Sequence, residues 1–388
     1  MNVPKIRYDN FTKEWEKVKL SSQASFLQGL TYTPNDVSND GTIVLRSSNI
    51  QNSMVDYNDI VRVNIIIPEK LKIKGNDILM CVRNGSKSLV GKTAWLSKNE
   101  EKCTWGAFMN IIRPKEKNKF VYYYLNSKYF YNHVWKDLGT ATVNQITKQT
   151  LESCYLNIPS IEEQEKIANT LSLLDQKIKL QTKKIEDLKL FKLYSENKLL
   201  NSNGSIYWKK IKLNDILIEG NKEPVKNTND FKKITIKLNL NGLEFNESKR
   251  ETSDRRPFYI REENEIIIGK QNYFNGSIAI VTKKFSGCIC SNAIMSFKVK
   301  EGYNLKYIYL YLSQKRYMKE REFLANGTGQ KELSEKEFLK FTIKVPEDSV
   351  VKKITNIIEK INKKINFENN KLNKLIELKK GLMQNMFV

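Results

Sequence analysis

Ile167-Ala168-Asn169-Thr170-Leu171-Ser172-Leu173-Leu174-Asp175-Gln176-Lys177-Ile178 opens a run in which Ile167, Leu171, Leu174, Ile178, Ile185 and Leu188 fall at alternating steps of four and three, with one polar interruption at Gln181. Toward the other end of the chain Ile354, Ile358, Ile361, Ile365, Leu372 and Leu375 repeat that spacing, and the interruption is Glu368. Side chains three and four apart share a helix face, so both runs read as heptad seams. Neither contains a proline, and each follows one, Pro159 or Pro346, that ends a strand-like segment. A helix of 40 residues is roughly 60 Å long. Helices that only complete their own domain core rarely keep heptad spacing past about 25 residues. The matched polar interruptions suit two helices that must pair in one register.

The seams are part of a duplication of the whole chain. Trp15-Glu16-Lys17-Val18-Lys19-Leu20 returns as Trp208-Lys209-Lys210-Ile211-Lys212-Leu213, displaced by 193 residues. Tyr124-Leu125, Ile146-Thr147 and Ile158-Pro159 return as Tyr311-Leu312, Leu333-Ser334 and Val345-Pro346, each displaced by 187. This partitions the chain into a globule at 1–160, a spacer helix at 161–200, a second globule at 201–348 and a second spacer helix at 349–388. About eight residues separate Leu200 from Trp208, so the second globule must sit at the C-terminal end of the first helix. A compact unit of about 140 residues has a radius of gyration near 14 Å, too small to carry the chain back to begin a parallel partner. The expectation is two antiparallel coiled-coil helices with a globule at each end, related by an internal pseudo-two-fold axis.

Each globule mixes short strands with helices, so the fold class is α+β. In the first, Thr42 to Ile50, Asp59 to Ile67, Asp77 to Val82 and Ala107 to Ile112 read as strands, and Phe120 to Phe130 as a helix. The second repeats this with Phe231 to Leu240, Glu265 to Ile268, Ser277 to Val281, Ala293 to Val299 and Leu305 to Tyr317.

Composition narrows the function. The 388 residues are 40% hydrophobic and 10% aromatic, which describes folded material, and 66 Lys plus Arg against 43 Asp plus Glu leave a net charge of +23. Each globule carries +8, and the helices carry +1 and +6. A surplus of this size suits nucleic acid or an anionic membrane. No run of about 18 apolar residues exists to cross a membrane, and Met1-Asn2-Val3-Pro4-Lys5 has no apolar stretch to act as a signal peptide, which points to the cytoplasm. A duplex reader with two grips needs both globules basic, because each must displace counterions from phosphate independently.

Catalytic constellations are missing. The five cysteines, Cys81, Cys103, Cys154, Cys288 and Cys290, lack paired metal-knuckle spacing and read as reduced thiols, with Cys288 and Cys290 on alternate positions of a strand. The single histidine, His133, lies in a helical stretch with Tyr131 and Trp135, where a structural role outweighs general-base work. Gly85-Ser86-Lys87-Ser88-Leu89-Val90-Gly91-Lys92-Thr93 resembles a phosphate loop but has five residues between its glycines and no helix behind it. It reads as a turn, with Lys87 and Lys92 as phosphate contacts. Tyrosines near basic residues, as in Gln271-Asn272-Tyr273-Phe274, either stack on bases or pack the surface. No metal site and no dinucleotide or methyl-donor fingerprint is present.

At this point the chain resembles the specificity subunit of a type I restriction and modification system, over essentially its whole length. The resemblance rests on Pro4-Lys5-Ile6-Arg7 with Phe11-Thr12-Lys13-Glu14-Trp15, Leu45-Arg46-Ser47-Ser48-Asn49-Ile50, Asp77-Ile78-Leu79-Met80, Leu138-Gly139-Thr140, and Glu163-Gln164-Glu165-Lys166-Ile167-Ala168 with Leu174-Asp175. The second copy offers Gly269-Lys270-Gln271-Asn272, Asn326-Gly327-Thr328-Gly329 and Leu333-Ser334. The chain departs from the pattern at the second helix, where Val350-Val351-Lys352 replaces Glu163-Gln164-Glu165.

The resemblance implies a noncatalytic subunit whose two target recognition domains each read half of a split double-stranded DNA sequence, while the helices set the gap and dock two methyltransferase subunits. S-adenosylmethionine enters with those partners, and ATP with magnesium enters with a restriction and translocation subunit where the system has one. Arg46, Ser48, Asn49, Arg83 and Lys87 in the first globule, and Lys237, Asn239, Lys270, Gln271 and Asn272 in the second, are the loop residues expected to approach bases or phosphates. Arg, Asn and Gln read guanine or adenine edges bidentately, whereas Lys more often marks backbone. Gly139-Thr140 and Gly327-Thr328 are candidate turns where a backbone amide meets phosphate. Two other functions stand beside this one. A DNA-modifying enzyme in its own right would bind methyl donor or cleave DNA alone, and a coiled-coil protein binding nucleic acid by charge alone would bind scrambled duplexes equally well.

Overall fold

The computed structural model describes residues 3–138, 144–201, 208–246, 256–324 and 332–388. By internal contacts the chain divides into two units. The first holds Met1–Lys183 with Asn369–Val388, and the second holds Lys184–Glu368, so each takes half of each long helix.

In the first unit β1 (Ala24–Gln28), β2 (Ile78–Cys81), β3 (Thr93–Trp95) and β4 (Met109–Pro114) form one antiparallel sheet in the order β1-β4-β2-β3. In the second, β5 (Leu217–Glu219), β6 (Ile266–Gly269), β7 (Ile278–Ile280) and β8 (Ile294–Val299) repeat that order as β5-β8-β6-β7. The central strands β2 and β6 read Ile-Leu-Met-Cys and Ile-Ile-Ile-Gly, almost wholly buried, as continuous apolar runs with neighbours on both sides should be. The pairs Cys81–Met109 and Gly269–Ile294 fix the correspondence between copies, making Phe108 the counterpart of Ala293. The copies differ around this sheet. A second four-stranded sheet in the first unit includes Thr42–Leu45 and Val61–Val63, whereas the described residues of the second unit form two-stranded pairs there.

The long helices are α1 (Ile161–Leu200) and α2 (Asp348–Asn385). In the first unit Ile167, Ala168 and Leu171 of α1 share a core with Met386 and Phe387 beyond the end of α2. Further along, Lys379 Nζ reaches Asp175 Oδ1 at 2.5 Å, and Tyr123 Oη donates to Asp175 Oδ2 at 2.8 Å. Burial pushes the Tyr123 phenol well up and the nearby Lys119 ammonium down. In the second unit Leu200 shares a core with Val351 and Ile354, Leu188 packs on Ile358, Ile361 and Ile365, and Lys184 meets Glu368. Within each unit, therefore, one helix advances as the other retreats, and they run antiparallel.

The two polar seam positions do not behave alike. Glu368 is 0% exposed, with Lys184 at 2.9 Å and Lys364 at 3.0 Å from its Oε1, while Gln181 is half-buried. Among the described residues no helix is long and apolar enough to cross a membrane.

Candidate nucleic-acid interface

Both copies build the same backbone device where the central strand ends. In the first, the N–H groups of Val82 and Arg83 both donate to Phe108 O, at 3.0 and 3.2 Å, and Ile146 N donates to Val82 O at 2.8 Å. In the second, Lys270 N donates to Ala293 O at 2.9 Å and Leu333 N to Lys270 O at 3.0 Å. Arg83 and Gln271, the next residues along, thus occupy matching places, each exposed and held on a strand end instead of a free loop.

Around Arg83 the first unit gathers a polar patch. Asn84 Nδ2 donates to Ser47 Oγ at 3.1 Å, and Asn144 Nδ2 donates to Gly85 O at 3.1 Å, tying three loops together. Arg46, half-buried beside them, pairs with Asp59 at 2.9 Å, and Ser48 is exposed. The Arg83 guanidinium lies 5.1 Å from the Phe108 ring centroid, and Lys87 Nζ lies 4.6 Å from that of Trp135, so each cation is steadied over an aromatic face.

Asn49 is a correction. It is 0% exposed, accepts from Arg46 N and donates to the carbonyls of Asp56 and Asp59, so its side chain braces the loop that presents Arg46 and cannot itself reach a ligand. Lys92 is half-buried in the backbone pairing beside β2, with its carbonyl accepting from Cys81 N. The phosphate-loop-like stretch makes a single 3-10 turn at Lys87–Leu89 and continues into β3, with no helix behind it.

In the second unit Gln271 and Asn272 are exposed and line a 320 Å³ cavity together with Lys233 and Ser277. Lys270 is turned instead toward Glu335, 3.6 Å away, which also holds Lys222 at 2.6 Å. Burial pushes the Glu335 carboxyl up, but the two ammonium groups outweigh it and leave it below its ordinary value. Lys237 is exposed and pairs with Glu244 at 2.7 Å. Asn239 takes a left-handed φ of 57° at a turn pressed on Gly276, where a Cβ would stand 3.2 Å from Asn239 Cα. Tyr273 is fully buried and donates to Leu312 O at 2.9 Å, so it packs the core and does not stack on a ligand. Gly139, Thr140, Gly327 and Thr328 lie outside the described residues.

Sequence reasoning missed Phe108, which is 57% exposed at the tip before β4. No sequence signal marked it, because Phe108 is matched to Ala293 only through the strand pairings. Among the described residues no group of three or more His, Cys, Asp or Glu side chains is placed to hold a metal ion.

Comparison with known proteins places this architecture. The chain is 30% identical over 167 residues to the type I restriction enzyme StySPI specificity subunit of Salmonella potsdam, which is 41% of this chain and 36% of that protein. The EcoKI specificity subunit of Escherichia coli strain K12 matches equally, at 30% identity over 167 residues, 41% of this chain and 36% of its own length. The chain thus spans about a third of the length of the curated relatives it matches. In fold it resembles the crystal structure of the type I restriction-modification system S subunit from M. genitalium, with a TM-score of 0.59 at 17% identity, covering 100% of this chain and 99% of that one. The model of the type I restriction modification DNA specificity domain matches twice, over residues 12–190 and 206–378, and the chain belongs to that family.

Proposed function

We propose that the chain is a noncatalytic DNA sequence-recognition subunit of a type I restriction-modification complex, each unit reading one half of a bipartite duplex target. The observation that carries this reading is the pair of matched strand ends, in which one backbone device presents Arg83 in one copy and Gln271 in the other. Like geometry with unlike side chains is what two readers of unlike half-sites require. The net charge of +23 supplies the sequence-independent part of the affinity.

Methyltransferase subunits, two per chain, would dock on the long helices and bring S-adenosylmethionine and the chemistry. ATP with magnesium would belong to a restriction and translocation subunit. Support for docking comes from large side chains that α1 leaves exposed, Leu173 and Leu180 in the first unit and Leu190, Phe191 and Tyr194 in the second.

Selection from a randomised duplex library, with the chain and its methyltransferase partner together, tests the reading. Enrichment of two short blocks at a fixed separation is the expected result. Equal binding to scrambled duplexes would favour recognition by charge alone, and cleavage or methyl transfer by the purified chain would favour an enzyme.

A further inference from the structure

Arg83, with Phe108 beside it, differs from Arg46 and Asn49 in how it is held. The backbone of Arg83 is fixed by its N–H to Phe108 O at 3.2 Å and by an antiparallel bridge to Gln145. Its guanidinium rests 5.1 Å from the Phe108 ring, which is itself 57% exposed. An exposed phenylalanine at a strand tip sacrifices burial, and stacking against it keeps an arginine fork ordered before any ligand arrives. Arg46, by contrast, is tied to Asp59, and Asn49 is internal.

The second copy keeps the backbone and changes the chemistry. Gln271 replaces Arg83, Ala293 replaces Phe108, and the space before Gln271 opens into the 320 Å³ cavity. Both residues are therefore free to meet a base edge. They differ in donor pattern: the arginine fork matches guanine O6 and N7, whereas a carboxamide both donates and accepts, as adenine N7 and N6 demand.

We propose that Arg83 and Gln271 are the equivalent specificity-determining residues of the two domains, Arg83 reading a guanine in one half-site and Gln271 an adenine in the other, with Phe108 positioning Arg83 and packing on the neighbouring base. This rests on the reading of the chain as a DNA specificity subunit. It goes further by naming the base that each position selects.

The test maps adenine methylation made by the full chain with its methyltransferase partner, for wild type and for Arg83→Gln, Gln271→Arg, Arg83→Lys and Phe108→Ala. Arg83→Gln should change one position of one half-site from guanine to adenine, with about a tenfold or greater change in preference, and leave the other half untouched. Gln271→Arg should do the reverse in the other half. Arg83→Lys keeps the charge without the fork and should lose selectivity at that position while the salt dependence of binding stays the same, and Phe108→Ala should weaken selectivity there and at the adjacent base. Where a variant fails to methylate, competition binding against duplexes permuted one base pair at a time reads the same change. An unaltered motif in Arg83→Gln, or a loss spread evenly over all sequences, overturns the assignment. A wild-type complex that yields no split motif would instead sink the specificity-subunit reading, so the two failures are distinguishable.

Discussion

Arg7 grips Glu163 with two parallel hydrogen bonds of 2.8 Å, Nε to Oε1 and Nη2 to Oε2, and fastens the N-terminal segment of the first globule to the start of α1. Trp15 Nε1 adds a third donor to the same carboxylate at 3.3 Å. The second copy has Val350 in place of Glu163, and Trp208 Nε1, the counterpart of Trp15 Nε1, is buried without a partner among the described residues. One substitution between the copies thus removes an acceptor and leaves a donor orphaned.

Glu163 is only 2% exposed, so Arg7→Ala should cost about 3 kcal/mol of stability by leaving a buried carboxylate unpaired. Arg7→Met combined with Glu163→Leu should recover most of that loss. Urea denaturation of the three proteins reads both, and an Arg7→Ala cost under about 0.5 kcal/mol would show the pair to be an ordinary surface contact.

Glu368 makes the opposite case inside the helix seam. A buried ion pair fixes register more than it stabilises, so Glu368→Leu should leave the thermal midpoint unchanged or raise it. Removing both lysines while keeping the acid, as Lys184→Ala with Lys364→Ala, should lower stability by about 1–3 kcal/mol. Calorimetry on both variants decides this, and a large loss in Glu368→Leu would contradict it.

Much of this architecture was legible in the sequence, and the reason is periodicity. The seam from Ile167 to Leu188 and its copy from Ile354 to Leu375 announce paired helices because spacing alone selects a face. The Trp15 and Trp208 segments show that the chain is written twice. Asn49 was misread because a polar loop residue looks the same whether it faces solvent or caps its own loop. Phe108 was missed because only the register of β4 against β2 shows that it sits at an exposed tip. The polar break at Glu368 was visible, but its burial beside Lys184 depends on the partner helix.

Lys87 sits exposed over Trp135, as a phosphate contact would. Lys87→Ala should weaken binding to cognate and scrambled duplexes alike and reduce the slope of log affinity against log salt by about 0.9. Titrations at several salt concentrations measure it. A loss confined to cognate DNA would assign Lys87 to base reading.

All five cysteines are buried, and none is joined in a disulfide. Burial pushes the Cys81 thiol up to about 11, although the nearby Arg83 carbonyl contact and Lys92 pull it down. At pH 8 its thiolate fraction is then on the order of one in a thousand, and reactivity should keep rising past pH 10. Native protein should react slowly with a thiol reagent at pH 8, and all five thiols should titrate in guanidinium. Rapid native labelling of Cys81 would contradict the packing around β2.

The most direct measurement of the proposed function maps methylated adenines in DNA from cells carrying this chain with a co-expressed type I methyltransferase subunit, before and after each unit is exchanged for that of a relative. A split motif with a constant gap, whose halves change one at a time with the exchanged domain, is the predicted result. A continuous motif, or two halves that change together, would contradict independent reading by the two units.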